Sequence, residues 1–459
     1  MSECIKCKDL PPLNDIFDKL EPTTNSLLTC DDEINIEESA SILIDAYIKE
    51  NILTMHDPAF HDNLFNSVYS ILELQFVNLY AYDIEDRLVK IVSQVIYNYF
   101  GLIIPKRSYK KTFIRVENPN YKKLQHKIKV IEETPQPDQR TDEWYQFRHN
   151  LITASSAWKA LDTQSLKNQL IYEKCKPLDL SKYKRINTES PLHWGQKYED
   201  VSIAYYEYMY DTVIRDYGCI QHSEWKFLGA SPDGINVKKN HPLYGRMLEI
   251  KNIVNRDITG IPKREYWIQM QLQMETCNLN ECDFLETRFK EYASEEDFNN
   301  DGVFQKTTKN KQKGIMLYFM KEGKPHYEYA PFNCTKKEYE KWEEEMHKKN
   351  ENLTWVKNIY WRLDEISCVL VLRNKEWFQA AITEIGDIWD IIEKERVEGY
   401  EHRAPKKNNR KSKAKKQETK IDNVIKINTE ESCFTLDEQN NPVLKIRTQS
   451  FDSTTTNED

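Results

Sequence analysis

Between residues 84 and 99 the apolar positions Ile84, Leu88, Ile91, Val95 and Tyr99 recur at spacings of three and four, the period of a helix with one buried face. Gly101 and Pro105 predict its end. Trp194, Tyr198, Val201, Tyr205 and Tyr208 form a second such stripe, and Trp377, Ala381, Ile385, Ile388 and Ile392 a third. The Lys/Glu-rich stretch 336–350 reads as a further, solvated helix, and the apolar run Cys368–Leu372 as a strand. Alternation over Met247–Lys251 predicts another strand, with Met247, Glu249 and Lys251 on one face and Leu248 and Ile250 on the other. Helical and strand patterns mix from 139 to 335, which predicts an α/β or α+β core.

These patterns divide the chain into a loosely ordered N-terminus (1–40), a helical N-terminal domain (41–135) and a central domain (139–335). A helical C-terminal extension (336–402) and a flexible tail (403–459) follow. Glu-Thr-Pro-Gln-Pro-Asp at 133–138 supplies the linker into the central domain. At 459 residues the chain is too long for one ordinary core. A hydrophobic content of 39% excludes a wholly disordered chain. No apolar run is long enough for a membrane helix, and the N-terminus lacks a signal-peptide layout. Ten scattered cysteines point to reduced thiols and hence to a cytoplasmic setting, with the nucleus as the alternative.

The net charge of -9 conceals two basic patches. Residues 105–130 carry nine Lys/Arg against Glu117, and 403–420 carry nine against Glu418. In the first, Tyr109, Phe113 and Tyr121 interleave with the cations, a pattern suited to nucleic acid. Lys106, Arg107, Lys110 and Lys111 are the DNA-binding candidates there. The second patch reads as a solvated loop or a localisation signal.

The chemistry concentrates in Ser231-Pro-Asp-Gly234 and Leu248-Glu-Ile-Lys251. If the two segments pair as a hairpin, Asp233 lies beside Glu249 and Lys251. Two carboxylates then offer oxygen ligands to a hard cation, and the lysine supplies a point charge for an attacking water or a phosphoryl oxygen. Either motif alone is common; their order and spacing together are more specific. Glu199 lies at the edge of the 194–208 stripe, where it can reach inward as a third carboxylate. Tyr266, Gln269 and Gln273 share one face of a predicted helix opened by Arg264. Arg148 and Ser155 pair a forked cation with a hydroxyl donor.

Trp144-Tyr-Gln-Phe-Arg148, Ile152-Thr-Ala-Ser155, Trp194-Gly-Gln-Lys-Tyr-Glu199, Ser231-Pro-Asp-Gly234, Leu248-Glu-Ile-Lys251 and Tyr266-Trp-Ile-Gln-Met-Gln271 stand in this order. Together they closely resemble the YqaJ-type viral recombinases, the phage lambda exonuclease family of the PD-(D/E)xK nucleases, over roughly 140–290. The resemblance implies a restriction-endonuclease-like central sheet flanked by helices. It implies Mg²⁺-dependent digestion of linear double-stranded DNA from the 5′ end, with Mn²⁺ as the alternative ion. By carry-over, Glu199, Asp233 and Glu249 hold metal and Lys251 serves the attacking water. Gln269 lines the site, and Arg148 and Ser155 bind the terminal 5′-phosphate. Duplex ends are the implied partner, a single-strand annealing protein is a candidate second partner, and a homo-oligomer is one arrangement the family allows. The additions at both ends resemble the long forms found in large DNA viruses of eukaryotes. An endonuclease with the same core, or a DNA-binding scaffold with a vestigial site, are the competing readings.

Other signals carry less. Cys4-Ile-Lys-Cys7 lacks a second spaced pair for zinc, and Cys277, Cys282 and Cys334 lack cluster spacing. His149, His193 and His222 are expected to pack or hydrogen-bond rather than to ligate.

Overall fold

The structure is a computed structural model that describes residues 28–76, 84–114, 119–183 and 187–405, and beyond them two short paired strands, Phe434–Leu436 and Pro442–Leu444. The expectations for residues 1–27, including the Cys4–Cys7 pair, lie outside the described residues. So does nearly all of the expected tail and its basic patch.

Helix α1 (Cys30–Asn51) starts eleven residues before the expected start of the helical domain at residue 41. Thr29 and Asp32 close a capping box, each side chain accepting the other's backbone N–H, and such a cap satisfies donors that an acidic sequence alone leaves open. Helices α2 (Phe60–Phe76) and α3 (Glu85–Leu102) follow. The predicted face of α3 is buried at Leu88, Ile91 and Tyr99. Ile44, Leu64, Leu88, Trp267 and Trp377 belong to one continuous hydrophobic cluster. The N-terminal helices therefore share a core with the central region.

Helices α4 (Tyr121–Glu133) and α5 (Asp142–His149) lead into a small sheet. Its strands are β1 (Ile152–Thr153), β3 (Ile220–Gln221) and β4 (Leu228–Ala230), in the order β1-β4-β3, with β1 parallel to β4. Helices α6 (Ala154–Ala157), α7 (Gln164–Cys175) and α8 (Pro191–Tyr210) lie between β1 and the later strands. The large sheet comprises β2 (Ile214–Arg215), β5 (Gly234–Asn236), β6 (Met247–Asn252), β7 (Glu281–Glu291), β8 (Lys313–Lys321), β9 (Lys324–Tyr329) and β10 (Thr354–Leu372). Their order is β2-β5-β6-β7-β10-β8-β9, with β6 and β7 parallel and the other pairs antiparallel. Helices α9 (Arg264–Thr276), α10 (Glu295–Asn300), α11 (Lys336–Lys349) and α12 (Lys375–Glu398) complete a mixed α+β fold flanking the sheet. Among the described residues no helix is long and apolar enough to cross a membrane.

Two features of this fold differ from the pattern-based division. The strand expected at Cys368–Leu372 is the end of a 19-residue strand, and β10 lies in the middle of the sheet between β7 and β8. Its first four residues, Thr354–Lys357, are exposed, and the alternation at Ile359, Trp361 and Leu363 breaks at Asp364 and Glu365, so the continuous apolar run marks only its buried end. The basic segment is also tied down: Tyr109 and Thr112 donate backbone N–H groups to the Leu370 and Cys368 carbonyls at 2.9 and 3.0 Å.

Candidate active site

Strands β5 and β6 pair antiparallel, with Gly234 opposite Leu248, as the hairpin expectation requires. A side chain at Gly234 would run into Ile214 of β2, so the turn must end in glycine for β2 and β5 to approach. Leu248 and Ile250 pack with Tyr206 and Leu285 under α8. Glu249 on the opposite face is fully buried, a costly place for a carboxylate without partners.

Its partners are all in hand. One Glu249 oxygen meets the Lys251 ammonium, and the other accepts from Gln273 Nε2 of α9 at 2.7 Å. Gln273 also donates to the Ser231 carbonyl at 3.2 Å. Asp233 accepts from the Ile250 N–H at 2.7 Å, which locks the Pro-Asp-Gly turn onto β6. Burial, and then the Glu249 carboxylate, push the Asp233 carboxyl well above its usual range, with Lys251 opposing. Burial works against the Lys251 charge, but Glu249 and Asp233 outweigh it and hold the ammonium above the ordinary lysine range. Its Nζ lies 5.1 Å from the Tyr266 ring centre. Lys251 is thus held as a cation against the Glu249 carboxylate.

Glu199 is placed by an aromatic anchor. Tyr198 stacks on Phe289 with centroids 4.5 Å apart, and Phe289 meets Trp361 edge-on at 5.4 Å. Ser190 caps α8 by accepting from the His193 N–H, with Pro191 in the first turn. Asn252, at the end of β6, donates to the Gly195 carbonyl at 2.7 Å and accepts from Ser202 at 2.7 Å. These bonds pin α8 to the strand that carries Glu249. Glu199 itself faces Arg140 at 3.6 Å. Burial raises its carboxyl; Arg140 opposes that, and Asp200 and Glu249 add to it. Arg140 has φ 67°, a left-handed backbone costing roughly 1–2 kcal/mol for a non-glycine residue. Among the described residues no three His, Cys, Asp or Glu side chains close on one point as a ready-made metal cage. Gln269 is buried one turn before Gln273 on α9.

Arg148 and Ser155 flank β1, and the parallel pairing of β1 with β4 carries them to the turn that follows β4. Arg148 donates to Ser155 Oγ at 3.4 Å and to Ser231 Oγ at 3.1 Å, and its guanidinium lies 4.3 Å from the Trp144 ring centre. Ser231 stands two residues before Asp233, so a single turn joins this cluster to the carboxylates. Residues 143–280 match the family model of the YqaJ-like viral recombinase domain. This segment is a YqaJ-like viral recombinase domain. An uncharacterised protein of Acanthamoeba polyphaga mimivirus is 31% identical over 335 residues, 64% of this chain and 59% of its own length. The chain thus spans under two thirds of that relative. Among solved structures, an alkaline exonuclease from Laribacter hongkongensis, alone and in complex with dAMP, shares 18% identity. The match covers 56% of this chain and 94% of the enzyme, with a TM-score of 0.32.

Within the YqaJ-like domain the motif reading missed Ser231 and Gln273 as partners of Arg148 and Glu249. Ser231 is legible only as part of a turn until β1 comes alongside. His193 bonds the Tyr327 hydroxyl at 2.8 Å, and His222 accepts from the backbone of Glu224 and Trp225. Arg107 requires correction. It is 2% exposed, and its guanidinium donates to the His56 and Pro262 carbonyls. A side chain committed to interior carbonyls has no reach to DNA. Lys106 lies over Tyr97, while Lys110 and Lys111 are exposed.

Proposed function

We propose that this protein is a metal-dependent deoxyribonuclease that attacks linear duplex DNA from the 5′ end, in viral recombination, repair or replication. One observation carries the reading: the Arg148–Ser155–Ser231 cluster and the Asp233–Glu249–Lys251 cluster sit at the two ends of one turn. A terminal phosphate bound at the first places the adjoining phosphodiester near the second.

The carboxylates suit a hard divalent cation. The Glu249 carboxylate raises the cost of ionising Asp233, and Mg²⁺ takes such oxygens readily while keeping waters of its own. Asp233 and Glu249 would hold it, joined by Glu199 once released from Arg140. Bound there, it would polarise a phosphoryl oxygen and offset charge on the leaving oxygen. Lys251, held protonated, orients the attacking water and steadies charge developing on the phosphoryl oxygens. Gln273 fixes the Glu249 carboxylate, and Gln269 lines the same helix face. The deciding experiment incubates the protein with linear duplex, closed circular duplex and both with EDTA. Digestion of the linear form alone, lost with EDTA, supports the proposal; efficient cutting of the circle replaces it with an endonuclease.

Arg148→Ala should slow digestion of 5′-phosphorylated ends by about tenfold to a hundredfold, since charge-assisted bonds are worth roughly 1.5–3 kcal/mol each. On 5′-hydroxyl ends the loss should be much smaller. Equal losses on both would remove Arg148 from end recognition.

Lys110 and Lys111 supply sequence-independent grip on the duplex, with Lys106 behind them. Replacing both exposed lysines by glutamine should flatten the slope of log affinity against log salt by up to about two. An unchanged slope assigns them to ordinary solvated surface.

A further inference from the structure

The cleft beside Arg148 has a volume of about 660 Å³ and is also lined by Arg140, Lys174 and Lys176. Lys174, on α7, donates from Nζ to the Arg148 carbonyl at 2.7 Å, and an ammonium has three hydrogens to give. From behind, Arg396 of α12 donates to the Lys174 carbonyl at 3.1 and 2.9 Å and to the His149 carbonyl at 3.2 Å. Its guanidinium lies 5.2 Å from the Trp389 ring centre. Three helices, α5, α7 and α12, thus bring Arg148, Lys174 and Arg396 to one place.

The other groups facing Lys174 do not neutralise them. His149 of α5 is kept uncharged, burial pushing it down to about 4. Burial raises the Cys219 thiol, which reaches this point from the connection between β2 and β3. Glu173, on the exposed side of α7, is engaged by Lys159 at 2.8 Å, and Asp179 at the rim accepts from Ser181. Burial, then Arg148 and then Arg396, lower Lys174 to about 7. Like charges gathered at the wall of a cleft are stabilised when an anion enters.

We propose that Lys174 is a further ligand of the terminal phosphate, and that Arg396 is the positioning residue that holds Lys174 and Arg148 at the required spacing. The proposal rests on the end-binding reading above. A terminal monoester carries about -1.5 to -2 charges near neutrality, with a second ionisation near about pH 6. An internal diester carries one. A second cation beside Arg148 therefore widens discrimination between the two. In the free protein Lys174 loses its proton as pH rises through about 7, whereas the phosphate keeps it charged. Binding must then take up a proton, and the preference for phosphorylated ends falls on the alkaline side.

The test uses the full-length chain in chelator, so that nothing is cut. Binding is followed by fluorescence anisotropy with three probes: a blunt duplex bearing a 5′-phosphate, the same duplex with a 5′-hydroxyl, and a closed dumbbell. Lys174→Gln should lower the phosphate-to-hydroxyl affinity ratio about tenfold. Lys174→Arg should keep the ratio but remove its decline between about pH 7 and about pH 8.5. Arg396→Gln should lower the ratio in the same direction, and the double variant should lose little more than Lys174→Gln alone. An unchanged ratio in folded Lys174→Gln overturns the proposal. A wild-type ratio that stays flat from about pH 7 to about pH 8.5 does so without any variant. If the wild type fails to distinguish the two ends, the end-binding reading itself falls; if it distinguishes them and Lys174→Gln does so equally, only the role of Lys174 falls.

Discussion

Asp233→Asn should reduce DNA cleavage by at least about a thousandfold while leaving the protein as stable as the wild type, or more so. The asymmetry follows from the geometry. Asparagine retains an oxygen that can accept from the Ile250 N–H, the bond that fixes the turn on β6. It removes the negative charge that faces Glu249 across a poorly solvated gap, the interaction that, after burial, pushes Asp233 furthest from its usual ionisation. Relief of such repulsion typically returns up to about 1–2 kcal/mol, the familiar opposition of stability and activity at a functional site. Cleavage suffers because a neutral amide is a weak ligand for a hard cation. The measurement is cleavage of a linear duplex beside thermal melting of both proteins. Near-normal cutting would take Asp233 out of the site. Lost cutting together with a sharply lower melting temperature would make it a structural residue instead.

Arg107→Ala should produce the opposite pattern, a loss of stability of about 2–4 kcal/mol with little effect on the salt dependence of DNA binding. The Arg107 side chain bridges the His56 carbonyl, at 3.1 and 2.9 Å, and the Pro262 carbonyl at 2.5 Å. Its own carbonyl accepts from Trp267 Nε1 at 2.6 Å, and its N–H donates to His61 Nε2 at 3.0 Å. Burial lowers the guanidinium to about 10, so it remains charged throughout the physiological range. Truncation leaves two interior carbonyls without donors and opens a void beside Trp267. Lysine cannot restore the fork, so Arg107→Lys should recover only part of the loss. Urea unfolding of the three proteins reads the effect. An unmoved midpoint, or a flattened salt slope in the folded variant, would return Arg107 to the surface patch.

Local sequence was sufficient wherever the determining interaction lies within one element or between neighbours in the chain. The α3 and α12 faces are buried at the positions their periodicity picks out, including Leu88, Ile91, Trp377 and Ile385. The pairing of β5 with β6 is legible because only a short connection separates the strands, and it brings Asp233 to Glu249. The ordered motifs of the YqaJ-like domain are legible for the same reason: each is a few residues long.

Tertiary structure alone decided the rest. Nothing near Arg107 distinguishes it from Lys110, yet one is interior and the other exposed; the carbonyls that bury it come from residues 56 and 262. Ser231 joins Arg148 only because β1 lies parallel to β4. Lys174 meets Arg396 across the packing of α7 on α12. The exposed start of β10 becomes a strand because β8 supplies its hydrogen bonds. In each case the energy comes from a group distant in the chain. A side chain's local pattern records which face it occupies, but not which backbone carbonyl or cation will stand opposite it once the layers close.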